Sequence, residues 1–104
     1  MEYQTGFGSR PLPLSDDLSA FVCITRYGSI TQAAEALCIS PTTAGARLRR
    51  LERWWGDNLV DREQRPLKLT RAGLAVYPYV IECLQSLQRL DALHRDQDPS
   101  RGGQ

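Results

Sequence analysis

A concentration of positively charged side chains is the feature of this 104-residue sequence that points to a binding chemistry. Residues 47–71 contain eight Lys or Arg against four Asp or Glu, whereas residues 1–46 contain two against four and residues 72–104 three against four. The formal net charge of +1 therefore hides one basic segment between two mildly acidic ones. A basic segment is the electrostatic footprint of phosphate contact, although a solvated helix face can have the same composition.

The remaining reactive side chains do not form a recognisable site. Cys23, Cys38 and Cys83 lie far apart, without a C-x-x-C spacing or a nearby His pair, so neither a zinc site nor a disulfide framework is indicated and we expect buried thiols. His94 stands alone near the end of the chain. The sequence contains no nucleophile and base pair, no paired carboxylates and no phosphate loop, so we predict no enzyme activity, no metal and no cofactor.

Composition limits the architecture and the location. A chain of 104 residues with 41% apolar content suits one small domain with a modest core. No apolar run approaches the roughly 18 residues of a membrane span, and the first residues lack a secretory signal pattern. We therefore expect a cytoplasmic, nucleoid-associated protein with no membrane partner.

Capping residues predict the helices that precede and carry the basic segment. Ser15, followed by two acids, predicts the N-cap of a first helix over 15–27. Thr31 predicts the cap of a short second helix that runs through about residue 38. Ser40 followed by Pro41 predicts the cap and first residue of a third helix over 41–55.

The third helix has two chemically different faces at about 100° per residue. One face is apolar and is expected to join the core: Ala44, Leu48, Leu51 and Trp55. The opposite face is polar and basic: Thr42, Ala46, Arg49, Arg50 and Arg53. Trp54 and Trp55 could stack on single-stranded bases, but a core position is the favoured interpretation for both.

A basic hairpin is predicted after the third helix. Leu59–Val60 and Leu67–Leu69 suit two short strands around the sequence D-R-E-Q-R-P, which places Arg62, Arg65 and Lys68 near the tip. These side chains could enter the minor groove of DNA or grip the flanking backbone. A solvated loop is the alternative.

A long final helix is expected to begin at Thr70 and to mediate dimerisation. Its apolar residues follow three- and four-residue spacing until Asp91, and they form the predicted dimer interface: Tyr77, Val80, Ile81, Leu84 and Leu87. Pro78 should kink this helix, at a cost of about 3 kcal/mol. The predicted organisation is a flexible arm over 1–14, a DNA-binding domain over 15–73, a linker and dimerisation helix over 74–95 and a disordered tail over 96–104.

Together these elements predict a mostly α-helical winged helix-turn-helix that binds double-stranded DNA. The residues expected to contact DNA are Thr31, Ser40, Pro41, Thr42, Thr43, Ala46, Arg47, Arg49, Arg50, Arg53, Arg62 and Arg65. Residues 44–46 offer no hydrogen-bonding side chain where base readers are expected. Either these small residues let the helix sit deep in the groove, where Thr42, Thr43 and Ala46 make methyl contacts to thymine while the arginines clamp phosphates, or the helix discriminates poorly between sequences.

The spacing of several motifs over residues 18–81 resembles the N-terminal DNA-binding domain of the LysR-type transcriptional regulators. The motifs are L-x-x-F-V at 18–22, G-S-I-T-Q-A-A-E-A-L at 28–37, I-S at 39–40, L-R-R-L-E at 48–52, L-V-D-R at 59–62 and L-T-R-A-G at 69–73. The resemblance implies a linker helix that pairs with that of a second copy, and recognition of an inverted-repeat site in bacterial promoter DNA.

Two departures from the family pattern stand out. Gly45 and Ala46 occupy the positions that match the family's base-reading Ser and Arg. The family's C-terminal ligand-sensing domain has no counterpart in these residues. The leading hypothesis is a homodimeric transcriptional regulator. The alternatives are a short interaction module that heterodimerises with a full-length relative and titrates it, and a non-specific nucleoid-type DNA binder.

Overall fold

The computed structural model describes residues 11–97, which form four helices and one small antiparallel sheet. In chain order the elements are α1 (Ser15–Tyr27), α2 (Ile30–Leu37), α3 (Pro41–Trp55), β1 (Val60–Asp61), β2 (Lys68–Leu69) and α4 (Arg71–Asp96). This is the mostly helical winged helix-turn-helix that the sequence predicts. Residues 1–10 of the predicted arm and 98–104 of the predicted tail lie outside the described residues.

Two predicted helix caps are confirmed. The Ser40 hydroxyl accepts the backbone N–H of Thr43 at 3.1 Å, and Pro41 is the first residue of α3. At the start of α4 the Thr70 hydroxyl accepts the N–H of Gly73 at 3.0 Å. In both cases the cap satisfies a donor that the first turn cannot pair internally.

The other two predicted caps are wrong. Ser29, not Thr31, caps α2, because Gly28 ends α1 with φ of 65° and leaves Ser29 in the extended conformation that an N-cap requires. Thr31 instead lies within the first turn of α2. The N-cap of α1 is Leu14, which makes no side-chain cap, and Ser15 is the first helical residue. The Leu14 carbonyl accepts the N–H groups of Asp17 at 3.0 Å and Leu18 at 3.2 Å, so the helical hydrogen bonds begin one residue before Ser15.

The core lies where α1, α3 and the base of the hairpin meet α4. Its fully buried large side chains are Phe21, Ile24, Leu48, Leu51, Leu59 and Val60. α2 packs closely through Ala33 and Ala34. The N-terminus of α4 approaches the hairpin so closely that a Cβ on Gly73 would lie 2.1 Å from the Leu59 carbonyl oxygen. Only glycine fits there.

The hairpin is a short wing fastened at its base. β1 and β2 are antiparallel, with Val60 opposite Leu69 and Asp61 opposite Lys68. Each strand begins one residue later than the sequence predicts. The Leu67 N–H donates to the Gly28 carbonyl at 2.9 Å and so attaches the second arm of the wing to the end of α1. The wing therefore has a fixed position beside α2 and α3.

α4 is 26 residues long and spans about 39 Å. Its helical geometry continues through Pro78. The first half packs on the core, where Tyr77 makes an edge-to-face contact with Phe21 at a centroid distance of 5.8 Å. From residue 85 to residue 97 every side chain but that of Ala92 is exposed. The second half of α4 thus extends beyond its own core.

Candidate nucleic-acid interface

The outward face of α3 combines small residues and free arginines. Ala44, Leu48 and Leu51 seat the helix on the core with no more than 1% of their surface exposed. The opposite face presents Thr42, Gly45, Ala46, Arg49 and Arg53, all exposed apart from the half-buried Gly45. Within the described residues Arg49 and Arg53 make no ion pair or side-chain hydrogen bond. Their guanidinium groups remain available to an external anion.

Arg50 is held by a carboxylate of α1. Its Nε lies 2.9 Å from Asp17 Oδ2 and its Nη2 lies 2.7 Å from Oδ1, a bidentate pair. The Asp17 side chain has no exposed surface. The hydrogen bonds and charge of Asp17 raise the pKa of Arg50 above its already high ordinary value. The Arg50 guanidinium thus holds α3 against α1, while half of its side chain is exposed. Its predicted contact with DNA stays a prediction.

Arg47 occupies an intermediate position on the same helix. Its Nη2 lies 3.9 Å from the carboxylate of Asp16, and a quarter of its side chain is exposed. At that distance, with an Asp16 side chain that is mostly exposed, the pair is weak. Arg47 lies on the flank of α3 that faces α1, away from the outward face.

A second buried carboxylate organises the wing. Glu52 Oε2 accepts the N–H groups of Leu59 at 2.8 Å and Val60 at 3.3 Å, and Oε1 accepts Arg62 Nη2 at 2.9 Å. Arg62 therefore anchors the base of the wing and is not a free tip residue. Its predicted contact with DNA stays a prediction. The sequence contains a signal for this anchor. Glu52 directly follows the core residue Leu51 and lies ten residues before Arg62 in the short hairpin.

The tip of the wing is ordered by its own hydrogen bonds. Asp61 accepts the side-chain amide of Gln64 and the backbone N–H of Glu63, both at 2.9 Å, and these two bonds lower the pKa of Asp61. Arg65 donates to the carbonyl oxygens of Arg62 and Gln64 while its side chain stays exposed. Arg65 is thus presented to solvent from a defined loop.

The start of α2, α3 and the wing enclose one basic cavity of about 300 Å³. It is lined by Gly28, Ser29, Ile30, Thr31, Arg49, Arg62, Arg65 and Leu67. The exposed Thr31 side chain and the positive end of α2 therefore face the same space as three guanidinium groups. This combination suits a phosphate oxygen, since both the helix end and the arginines attract anions.

The turn between α2 and α3 presents hydroxyl groups that are already engaged. The Ser40 hydroxyl donates to Thr43 Oγ1 at 2.9 Å while it caps α3. Cys38 ends α2 in the left-handed conformation with φ of 59°. Ser40 and Pro41 are exposed and Thr43 is half-buried, and the structure shows only their role in starting the helix.

Most of the residues predicted to form a dimer interface pack against the core of their own chain. Val80 is only 5% exposed, and Tyr77, Ile81 and Leu84 pack against the same core. Of the predicted set only Leu87 is exposed, because α4 turns its three- and four-spaced face toward α1 along its first half. The large apolar side chains that α4 does expose are Leu74, Tyr79, Leu87, Leu90 and Leu93.

An apolar groove of about 500 Å³ separates α4 from the end of α3. It is lined mainly by Leu12, Pro13, Trp54, Trp55, Ala75, Val76, Tyr79 and Cys83. Trp54 packs on the core, whereas Trp55 is 47% exposed, so the prediction that Trp55 is a core residue is wrong. The core ends at Leu51, and the last turn of α3 projects past it into this groove.

The cysteines also differ from the prediction. Cys23 is half-buried, and Cys38 and Cys83 are exposed, because Cys38 caps a helix at the surface and Cys83 lies on the open side of α4. Across residues 11–97 no group of three or more His, Cys, Asp or Glu could hold a metal ion. In the same part of the chain no helix is both long and apolar enough to cross a membrane.

Curated relatives share this domain over about a quarter of their length. The chain is 34% identical over 80 residues to the glycine cleavage system transcriptional activator homolog of Haemophilus influenzae, which covers 77% of this chain and 26% of that protein. It is 33% identical over 73 residues to the transcriptional regulator BenM of Acinetobacter baylyi, covering 70% of this chain and 24% of BenM.

Solved structures of DNA complexes share the fold. The BenM DBD bound to benA site 1 DNA superposes with a TM-score of 0.73 at 29% identity, over 79% of this chain and 92% of that one. Residues 15–74 match the family described as bacterial regulatory helix-turn-helix protein, lysR family. With its winged helix-turn-helix geometry and its basic outward face, this chain belongs to the lysR family of bacterial regulatory helix-turn-helix proteins.

Proposed function

We propose that this chain binds promoter DNA in the cytoplasm as the DNA-recognition part of a transcriptional regulator. α3 lies in the major groove, and the start of α2 and the wing contact the backbone on either side. The observation that carries the proposal is the convergence of Arg49 and Arg65 with the positive end of α2, beside the outward face of α3. A phosphate bound there neutralises the charges of Arg49 and Arg65. It leaves the ion pairs of Arg50 with Asp17 and of Arg62 with Glu52 intact.

The test is DNA binding by fluorescence anisotropy at several salt concentrations, with genomic fragments competing against random DNA. Loss of one phosphate contact lowers the slope of log K against log salt by about 0.9, so Arg49→Ala should lower it by that amount. Arg89→Ala is the matched control, because Arg89 is an exposed arginine on the half of α4 that extends beyond the core. Equal competition by genomic and random DNA would instead support a non-specific nucleoid-type binder.

We also infer that two copies pair through the exposed side of α4. Tyr79, Cys83, Leu87 and Leu90 follow one another at spacings of four, four and three residues and are all exposed. Leu12 and Trp55 continue this surface across the groove. Burial of one large apolar side chain is favourable by about 1.5 to 3 kcal/mol. Pairing with a second copy would therefore be stabilised by covering these side chains.

Sedimentation of single variants tests the pairing. Leu90→Glu should convert a micromolar dimer to a folded monomer that has lost its preference for two half-sites over one. Gln85→Glu is the control, because it adds the same charge on the opposite side of α4. A wild-type chain that sediments as a monomer at high micromolar concentration would contradict the inference. The alternative, heterodimerisation with a full-length relative, uses the same face and would appear as a mixed species on combining the two proteins.

A further inference from the structure

The first two turns of α3 present almost no hydrogen-bonding chemistry to an approaching ligand. Their outward residues are Pro41, Thr42, Gly45 and Ala46. The neighbouring Thr43 is half-buried and lies off this face, and its hydroxyl accepts a hydrogen bond from Ser40 at 2.9 Å. Thr42 is therefore the one hydrogen-bonding side chain that this face carries before Arg49, two turns into the helix.

The same face is also unusually open. A Cβ built on Gly45 meets no atom within 4 Å, and Ala46 beside it extends only a methyl group into solvent. Glycine here lowers helix propensity by about 1 kcal/mol relative to alanine, and no tight contact requires it. Because these side chains are small, the backbone of α3 can approach the floor of a DNA groove closely.

We infer that α3 selects its DNA site through the methyl groups of thymine more than through hydrogen bonds to base edges. This inference rests on the DNA-binding function proposed above and names the kind of site that function uses. Thymine is the base that places a methyl group in the major groove, and the methyl groups of Thr and Ala are its usual contacts. Thr42 and Ala46 supply such groups, and Gly45 lets them reach the bases.

Base analogues provide a direct test. The genomic fragment that competes best is prepared with deoxyuridine in place of thymidine, which removes each C5 methyl group, and separately with 7-deazaguanine, which removes the N7 acceptor. We expect about a fourfold loss of affinity for each contacted methyl group removed. Deazaguanine should change the affinity less than twofold. Random DNA carrying the same analogues measures any general effect of the substitution.

A mutant cycle assigns the effect to a residue. Thr42→Ser removes the γ-methyl group and keeps the hydroxyl, so it should weaken binding to thymine DNA and leave binding to deoxyuridine DNA nearly unchanged. Thr31→Ser removes the same methyl group from an exposed threonine outside α3, and it should affect both DNAs equally. Circular dichroism of both variants confirms that the helices are intact.

The outcomes separate this inference from the proposed function. Site-selective binding that resists deoxyuridine and fails with deazaguanine would overturn methyl recognition while leaving the proposed function in place. A selected site without thymine in its half-sites would do the same. Loss of site preference in the unmodified DNA would instead contradict the proposed function itself.

Discussion

Arginines on one basic surface divide into a paired set and an open set. Arg50 and Arg62 each contact a carboxylate that is almost fully buried, Asp17 in the first case and Glu52 in the second. Arg49, Arg53 and Arg65 have no such partner in the described part of the chain, and their side chains are exposed. Both sets lie within the basic segment 47–71, and residue type alone does not distinguish them.

The difference shows that a count of basic residues overestimates the contacts available to a nucleic acid. A buried carboxylate without a cation is strongly destabilising. The paired arginines are therefore needed for the stability of the fold. Under the proposed function, we expect them to contribute to DNA binding indirectly, through the position of α3 and of the wing. We expect the open arginines to make the electrostatic contact with DNA.

Removal of a carboxylate at the wing base should have the largest effect on folding. Glu52→Ala leaves the buried N–H groups of Leu59 and Val60 unpaired and frees Arg62, so we expect a loss of about 3 kcal/mol in the free energy of unfolding. Chemical denaturation measures the loss. Glu63→Ala is the control, because this exposed wing acid should change stability by less than about 0.5 kcal/mol. Equal losses in the two variants would mean that Glu52 does not organise the wing.

The contrast between the two sets is sharpest for two arginines of α3. Arg50→Ala strands the buried Asp17, so it should lower stability while leaving the salt dependence of DNA binding nearly unchanged. Arg53→Ala should do the reverse, with near-native stability and a slope of log K against log salt lower by about 0.9. Thermal unfolding and anisotropy titrations on both variants provide the comparison. Exchanged results would place Arg50 in the open set.

The smallest effect should come from Asp61 at the tip of the wing. Its pKa lies below the ordinary value of 3.8 in the folded state, so its contribution to stability is present above that value and disappears as the pH falls through the lower folded-state pKa. Asp61→Asn should therefore be slightly less stable than wild type from pH 7 to pH 5, with the difference vanishing in stronger acid. Denaturation curves across this range measure it. A difference that grows on acidification would contradict the assignment.

Local patterns predict the fold well where short-range chemistry controls it. The Ser40–Pro41 start of α3, the Thr70 cap of α4 and the apolar face of Leu48 and Leu51 follow from neighbouring residues and from the helical period. The wing is also predicted, although its strands begin one residue later. The residue types of Thr31 and Ser15 favour caps, but the backbone at Gly28 places Ser29 at the start of α2, and the helical hydrogen bonds of α1 begin at Leu14.

By itself the sequence determined the helix-turn-helix order, the basic segment and the family resemblance, because these depend on residue type and spacing along the chain. Only the tertiary structure decided which arginines are free, since a carboxylate from α1 meets Arg50 across 33 positions of sequence. It likewise decided that Val80 joins the core and Leu87 does not, since both belong to one three- and four-spaced apolar stripe that continues past the point where the core ends. Helical periodicity predicts which residues share one face of a helix. Which segment packs against that face depends on contacts between distant parts of the chain.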